Sequence, residues 1–212
     1  MVERAYGDGR YLVEIVPSIG RLGNNAYILS GPSRGKVTLV DAPEGSEAVL
    51  EAVGRRTIER IVITHEHDDH WAGIDTLRAA TDAPVYAAPP PSGKGGALRE
   101  LRHGDTFDIG GATARILHTP GHTPGSFCLH FGGAVLTGDT LFPGGPGRTR
   151  DNAALQQEIE SIKTHLLQLQ PDTLVLPGHG PGTTIQKADE EYATFASKPM
   201  KPDLSGDVRW LD

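Results

Sequence analysis

The chain has 212 residues, of which 37% are hydrophobic and 22% charged, a balance typical of a globular protein and unlike that of a disordered one. Its formal net charge of -7 argues against a nucleic-acid partner, because a negative surface repels phosphate groups. We expect no membrane partner, since the sequence has no signal-like start and no apolar run of the roughly 18 residues that a membrane span needs. The single cysteine, Cys128, excludes an internal disulfide, and a cytoplasmic location is expected.

The first half of the chain alternates between predicted strands and predicted helices. β-Branched and aromatic residues between turn formers predict strands at 11–16, 25–31, 36–42, 60–64 and 84–88. Helices are predicted at 46–53 and 74–80. The stretch 88–97, rich in proline and glycine, is predicted to be a loop, either a surface connector or a loop beside the active site.

The second half of the chain continues this alternation. Strands are predicted at 105–110, 112–119, 126–131, 134–138 and 173–178. The clearest helix is predicted at 151–171, where apolar residues recur every three or four positions, Asp151 can cap the start and Pro171 ends the pattern. A last helix is predicted at 188–196, and the aperiodic segment 198–212 is expected to lie along the surface. The pattern favours one α/β domain over residues 1–212, with helices covering sheets.

A dense cluster of histidines and acids directly follows the strand predicted at 60–64. His65, His67, Asp69 and His70 form an H-x-H-x-D-H pattern within six residues. Such a cluster is costly as mere structure, because histidines repel one another when protonated and need hydrogen-bond partners when buried. A divalent metal removes both costs, since neutral imidazole and ionised carboxylate are good metal ligands. The pattern therefore predicts a metal site.

Three other strand ends carry a residue of the same kind. His122, Asp139 and His179 each follow an apolar run and a glycine. Loops at one edge of a layered sheet converge on a common crevice, so these residues are predicted to join the cluster. The intervening acids Glu66 and Asp68 are expected to support the ligands or to face solvent.

Four short motifs resemble the metallo-β-lactamase superfamily. They are "THEHDDH" at 64–70, "TPGHTPG" at 119–125, "TGDTLF" at 137–142 and "PGHGP" at 177–181. The resemblance implies a four-layer αβ/βα sandwich with a dinuclear metal site between its two halves.

The resemblance also implies a role for each residue of the cluster. One metal would be held by His65, His67 and His122, and the other by Asp69, His70 and His179, with Asp139 bridging both. Asp41 matches an acid that supports the first metal's ligands from behind, although a turn or helix-cap role is an equal alternative. Two divalent ions are expected as cofactors, with zinc preferred and iron or manganese compatible with the same ligands.

Within the superfamily, the segment 138–149 is similar to glyoxalase II-like hydrolases, also called hydroxyacylglutathione hydrolases, and particularly to their short single-domain type. Asp139 argues against the true β-lactamases, which lack an acid at this position. Full-length glyoxalase II carries a C-terminal helical region that contacts glutathione, whereas about thirty residues follow His179 here. Arg148 is the candidate for contact with a substrate carboxylate.

The leading hypothesis is hydrolysis of a small-molecule thioester, such as an S-acylglutathione, by a hydroxide that bridges two metals and is positioned by Asp69 and Asp139. Three alternatives stay open. The Gly-Arg-Thr segment at 147–149 also resembles sulfur dioxygenases, which use a single iron and a persulfide substrate. The others are a lactonase and a non-catalytic metal-binding module.

Overall fold

The computed structural model describes residues 1–88 and 97–212. Two β-sheets pack face to face, and helices cover the outer face of each sheet. This order of layers confirms the predicted αβ/βα sandwich. The loop predicted at 88–97 lies, apart from its two end residues, outside the described residues.

The first sheet contains seven strands that lie side by side in chain order. They are β1 (Glu3–Gly7), β2 (Leu12–Ile19), β3 (Asn24–Ser30), β4 (Lys36–Val40), β5 (Thr57–Val62), β6 (Val85–Ala87) and β7 (Leu98–Glu100). Pairing is antiparallel from β1 to β4 and parallel from β4 to β7. Two of the parallel connections run through helices: α1 (Glu47–Val53) links β4 to β5, and α2 (Ile74–Ala80) links β5 to β6.

The second sheet contains six strands and lies against the first. They are β8 (Thr106–Asp108), β9 (Thr113–His118), β10 (Phe127–Phe131), β11 (Ala134–Gly138), β14 (Leu174–Pro177) and β15 (Thr183–Thr184). Their spatial order is β15-β14-β11-β10-β9-β8, and β11 and β14 are parallel. A short hairpin of β12 (Leu141–Phe142) and β13 (Gly145–Pro146) follows β11.

Two helices cover the second sheet. α3 (Asn152–Ser161) begins as predicted at Asp151, whose carboxylate accepts a hydrogen bond of 2.8 Å from the backbone N–H of Ala154. It continues into a π-helical turn, Ile162–Leu166, and so ends before Pro171. α4 (Ile185–Ala196) starts three residues earlier than predicted. No helix among the described residues has both the length and the apolarity to cross a bilayer.

The central core lies between the sheets and fixes their relative position. It includes Val13 and Leu29 from the first sheet and Ile116, Leu129 and Phe131 from the second, each at most 1% exposed. The outer faces of the sheets pack under the helices. Strands such as β3 are therefore buried on both faces, and their ends are held in place where the loops begin.

The segment 198–212 does not lie wholly along the surface, which corrects the sequence-based expectation. Val208 and Trp210 are 6% and 0% exposed. The ring of Trp210 lies 5.4 Å from that of Tyr192 and 6.5 Å from that of Phe195, both on α4. A short extended segment that buries two alternate residues carries no helical periodicity, so the sequence pattern gave no sign of this packing.

We expect Trp210→Ala to lower the free energy of unfolding by about 3–5 kcal/mol, because it removes a large, fully buried side chain and leaves a cavity. Urea unfolding of the metal-free protein measures this change. The neighbouring Leu211→Ala is the control, since Leu211 is 58% exposed and its loss should have little effect. Equal stabilities of the two variants would contradict the packing described for Trp210.

Candidate metal centre

All seven predicted ligands lie at one edge of the sandwich, on loops that follow strands. They form three overlapping groups of three residues, and within each group the ligand atoms lie within 4.8 Å of one another. The first ligand group is His65, His67 and His122. The second ligand group is Asp69, His70 and His179. A third group joins the two and consists of His65, His70 and Asp139.

In the first ligand group, two imidazole nitrogens converge closely. Nε2 of His122 lies 2.8 Å from Nδ1 of His67, and the two rings are nearly perpendicular. The other nitrogen of His122, Nδ1, lies 2.8 Å from the backbone oxygen of Arg148. That carbonyl orients the ring and leaves Nε2 directed at the centre of the group.

In the second ligand group, one carboxylate oxygen faces two histidines. Oδ2 of Asp69 lies 3.2 Å from Nε2 of His179 and 3.4 Å from Nε2 of His70. The Asp139 carboxylate lies between the two groups: Oδ1 is 3.4 Å from Nε2 of His70, and Oδ2 is 3.7 Å from Nε2 of His122. Oδ2 also lies 3.5 Å from Nε2 of His179, so the Asp139 carboxylate contacts both ligand groups.

Three buried ligand atoms at the centre of the site show whether a cation fits there. Nε2 of His65, Nε2 of His70 and Oδ1 of Asp139 are buried and have no hydrogen-bond partner in the described part of the chain. Buried polar atoms without partners are costly and rare in native proteins. All three belong to the group that joins the two sites, and divalent cations would satisfy them. The donor set therefore fits metal ions.

Close packing around Asp139 requires a glycine at position 178. A Cβ atom built there would lie 2.4 Å from Oδ1 of Asp139 and 2.6 Å from Cε1 of His70. Both distances are shorter than van der Waals contact allows. The Pro-Gly that precedes His179 therefore lets the β14 loop approach the centre.

The pKa shifts of three ligands suit metal binding, whereas neighbouring carboxylates overcome the effect of burial and raise the pKa of His70 and His179. Burial, followed by the charges of His70 and His122, holds the pKa of His65 well below its ordinary value, and burial also lowers the pKa of His122. Burial acts to raise the pKa of Asp69, but a hydrogen bond from His179 and the charge of His70 overcome it and lower that pKa strongly. The first two imidazoles are thus neutral and Asp69 is ionised, as coordination needs.

Asp41 holds the ligand side chains from behind. Its Oδ1 accepts the backbone N–H of Thr64 at 2.8 Å, and its Oδ2 accepts the Thr64 hydroxyl at 2.9 Å and lies 2.8 Å from Nδ1 of His70. The prediction that Asp41 supports the first metal's ligands needs correction: its direct contact is His70, of the second ligand group. It reaches His65 only through Thr64, whose hydroxyl lies 3.1 Å from Nδ1 of His65.

Two asparagines at the start of β3 support the second ligand group, and no sequence motif marks them as part of the site. Nδ2 of Asn24 donates to Oδ2 of Asp69 at 2.7 Å. Nδ2 of Asn25 donates to the carbonyls of Pro177 and Gly180, at 3.0 and 2.8 Å, on either side of His179. Both asparagines are almost fully buried. Adjacent amide side chains opening an apolar strand were the available signal.

Two glutamates fix the loop that carries His122. Glu66 accepts hydrogen bonds from the backbone N–H of Gly125, at 2.9 Å, and from the hydroxyl of Thr123. Glu158 on α3 is fully buried, and its burial raises the pKa of its carboxyl group to about 9, so that it is neutral at pH 7. A Cβ atom at position 121 would lie 2.1 Å from Cβ of Glu158. The loop therefore packs directly on α3.

Two clefts open beside His122, and Arg148 lines both. The first has a volume of about 450 Å³ and also contains Asp139 and His179. The second, of about 530 Å³, contains His67. The Arg148 side chain is 76% exposed, and its Nε lies 3.9 Å from Oδ2 of Asp207. The predicted substrate contact thus lies at the mouth of the site rather than inside it.

We expect Asp41→Asn to weaken Zn²⁺ binding by about 10–100-fold, with the larger loss at the second ligand group, because the amide cannot accept all three hydrogen bonds. Asp41 has a φ of 65°, a conformation that asparagine also tolerates, so the substitution changes the hydrogen bonds and spares the backbone. Titration against a competing chelator measures the affinity. Asp75→Asn, on the exposed side of α2, is the matched control; equal affinities would contradict the role of Asp41.

Comparison with known proteins agrees with this geometry. A family model described as the metallo-β-lactamase superfamily matches residues 19–179. A hydroxyacylglutathione hydrolase of Fuscovulum blasticum is 37% identical over 161 residues, covering 74% of this chain and 62% of its own length. The crystal structure of the B3 metallo-β-lactamase BLEG-1 has a TM-score of 0.74 at 26% identity, with 90% of this chain and 97% of that chain covered. The crystal structure of ETHE1 from Myxococcus xanthus has a TM-score of 0.73 at 27% identity, with 94% of this chain and 86% of that chain covered.

Proposed function

Because the chain belongs to the metallo-β-lactamase superfamily, we propose that it is a dinuclear metal-dependent hydrolase of thioesters, with S-acylglutathiones as the substrate class. The observation that carries the proposal is the pair of complete ligand groups around Asp139, which would hold two cations beside one cleft. The relative from Fuscovulum blasticum, named as a hydroxyacylglutathione hydrolase, supports a thioester as the bond that is cleaved. This chain spans 62% of that relative's length.

Each ligand group would hold one cation, and Asp139 would contact both. Bound there, two divalent cations would supply Lewis acidity toward a carbonyl oxygen and hydroxide at neutral pH, since they lower the pKa of water to about 7. Zinc is the proposed metal, and iron and manganese take the same ligand types.

Asp69 and Asp139 are the carboxylates that face the reacting space. Burial acts to raise the pKa of Asp139, but the histidines around its carboxylate, His70 above all, hold that pKa below its ordinary value. Both carboxylates are therefore ionised and accept hydrogen bonds from a water molecule that attacks the substrate. The amide of Asn24, 2.7 Å from Asp69, fixes that acceptor in place.

The leaving group explains why a thioester suits this site. A thiol has a pKa of about 8.5, so a thiolate departs without a strong general acid. The side chain of Arg148, at the junction of the two clefts, is placed to contact a carboxylate of the substrate.

A sulfur dioxygenase that uses a single iron is the second candidate, and the Gly-Arg-Thr segment at 147–149 favours it. The complete second ligand group argues for the hydrolase instead, because a one-metal enzyme would not need Asp69 and His179 near a second position. Oxygen consumption with a persulfide substrate distinguishes the two reactions.

For the zinc-loaded protein we expect thiol release from an S-acylglutathione, and loss of at least about a hundred-fold in kcat/KM in Asp139→Ala, because the shared ligand and water acceptor are removed. A thiol-reactive dye measures the rate, and Asp75→Ala is the control. A homoserine lactone and a β-lactam are assayed beside the thioester. Full activity of Asp139→Ala, or cleavage of only the lactone or the β-lactam, would contradict the proposal.

A further inference from the structure

An extended segment, residues 204–210, closes one side of the cleft that contains Asp139 and His179. Gly206 pairs with Thr149 through two backbone hydrogen bonds, of 3.2 and 2.9 Å. The backbone N–H of Trp210 donates to the carbonyl of Gly144 at 2.8 Å, and the amide of Asn152 donates to the carbonyl of Leu204 at 2.8 Å. The segment is therefore bonded to the loop that carries Arg148.

Alternate side chains of this segment point in opposite directions. Val208 and Trp210 are buried against α3 and α4, whereas Asp207 and Arg209 are exposed and line the cleft. The segment lies close to the hairpin of β12 and β13: a Cβ atom built at Gly145 would lie 2.6 Å from the carbonyl oxygen of Val208. Burial of the two apolar residues thus fixes Arg209 at the rim of the cleft.

The rim of the cleft, where Arg148 and Arg209 lie, carries positively charged side chains, although the whole chain is negatively charged. The chain carries a formal net charge of -7, yet two arginines, Arg148 and Arg209, face this cleft. Asp207 lies 3.9 Å from Arg148 and offsets part of its charge. Arg209 has no carboxylate within 4.0 Å among the described residues. Its guanidinium is the charged donor left available to a ligand.

We propose that the segment 204–210 selects the substrate, and that Arg209, together with Arg148, binds a carboxylate group of the thioester. This inference rests on the proposed function and deepens it by naming the residues that recognise a carboxylate, a group that every S-acylglutathione carries. Phe142 and Pro143 also line the cleft and offer apolar contact. A guanidinium binds a carboxylate through paired hydrogen bonds, which fixes the direction in which the substrate enters.

The first test measures binding, independently of turnover. The probes are two thioether ketones that cannot be hydrolysed, 3-[(2-oxopropyl)thio]propanoate and its amide, titrated calorimetrically into the zinc-loaded protein. We expect the carboxylate probe to bind about ten-fold more tightly than the amide, and Arg209→Ala to remove this preference while Arg209→Lys keeps part of it. Arg102→Ala is the matched control, because Arg102 is 78% exposed and pairs with Glu100 at 3.6 Å, away from the cleft.

The second test measures turnover of the matching thioesters, S-acetyl-3-mercaptopropionate and its amide. Arg209→Ala should raise KM for the carboxylate substrate about ten-fold and leave kcat and the amide substrate nearly unchanged. Equal binding of both probes by the natural protein, or an unchanged preference in Arg209→Ala, would overturn the inference. Cleavage of both thioesters with equal efficiency would do so too and would leave the proposed function intact. A carboxylate preference in binding without cleavage of either thioester would support the subsite and overturn the proposed function.

Discussion

The hydrogen bonds of the Asp41 carboxylate orient one histidine of each ligand group, His70 directly and His65 through Thr64. A single buried carboxylate at the end of β4 accepts the backbone and the hydroxyl of Thr64 and contacts the imidazole of His70. The Thr64 hydroxyl in turn contacts His65. The unpaired Nε2 atoms of both histidines are consequently aimed at the same space as Asp139. A divalent cation would satisfy these buried atoms, because neutral imidazole nitrogens and ionised carboxylate oxygens can coordinate the same ion.

The sandwich serves this centre by bringing loops from both sheets to one edge. The first sheet contributes the loop after β5, which holds four of the ligands, and the second sheet contributes His122, Asp139 and His179. Strands buried on both faces keep the loop starts fixed. Cross-sheet bonds, such as those of Asn25 to the loop around His179, tie the two contributions together. The site thus depends on the packing of the whole sandwich and not on one motif.

The sequence allowed the alternation of strands and helices and the seven converging residues to be predicted, because each group of residues follows an apolar run, and the four-layer sandwich followed from the resemblance of the four motifs. It did not allow contacts that depend on tertiary packing to be predicted. Asn24 acts on Asp69 across 45 positions of the chain, and no local pattern indicates that pairing. Glu158 is buried despite its carboxyl group, since the loop at Gly121 covers it, and no local pattern indicates this burial. Trp210 was missed because a two-residue alternation is too short to recognise.

The most direct test of this account is elemental analysis of the protein purified without added metal, beside the His179→Ala variant. Two ligand groups that share Asp139 predict about two divalent metal ions per chain, and about one in the variant, which lacks a ligand of the second group. One ion in both proteins would mean that the second ligand group does not hold a metal. A folded protein with no metal would contradict the metal centre itself.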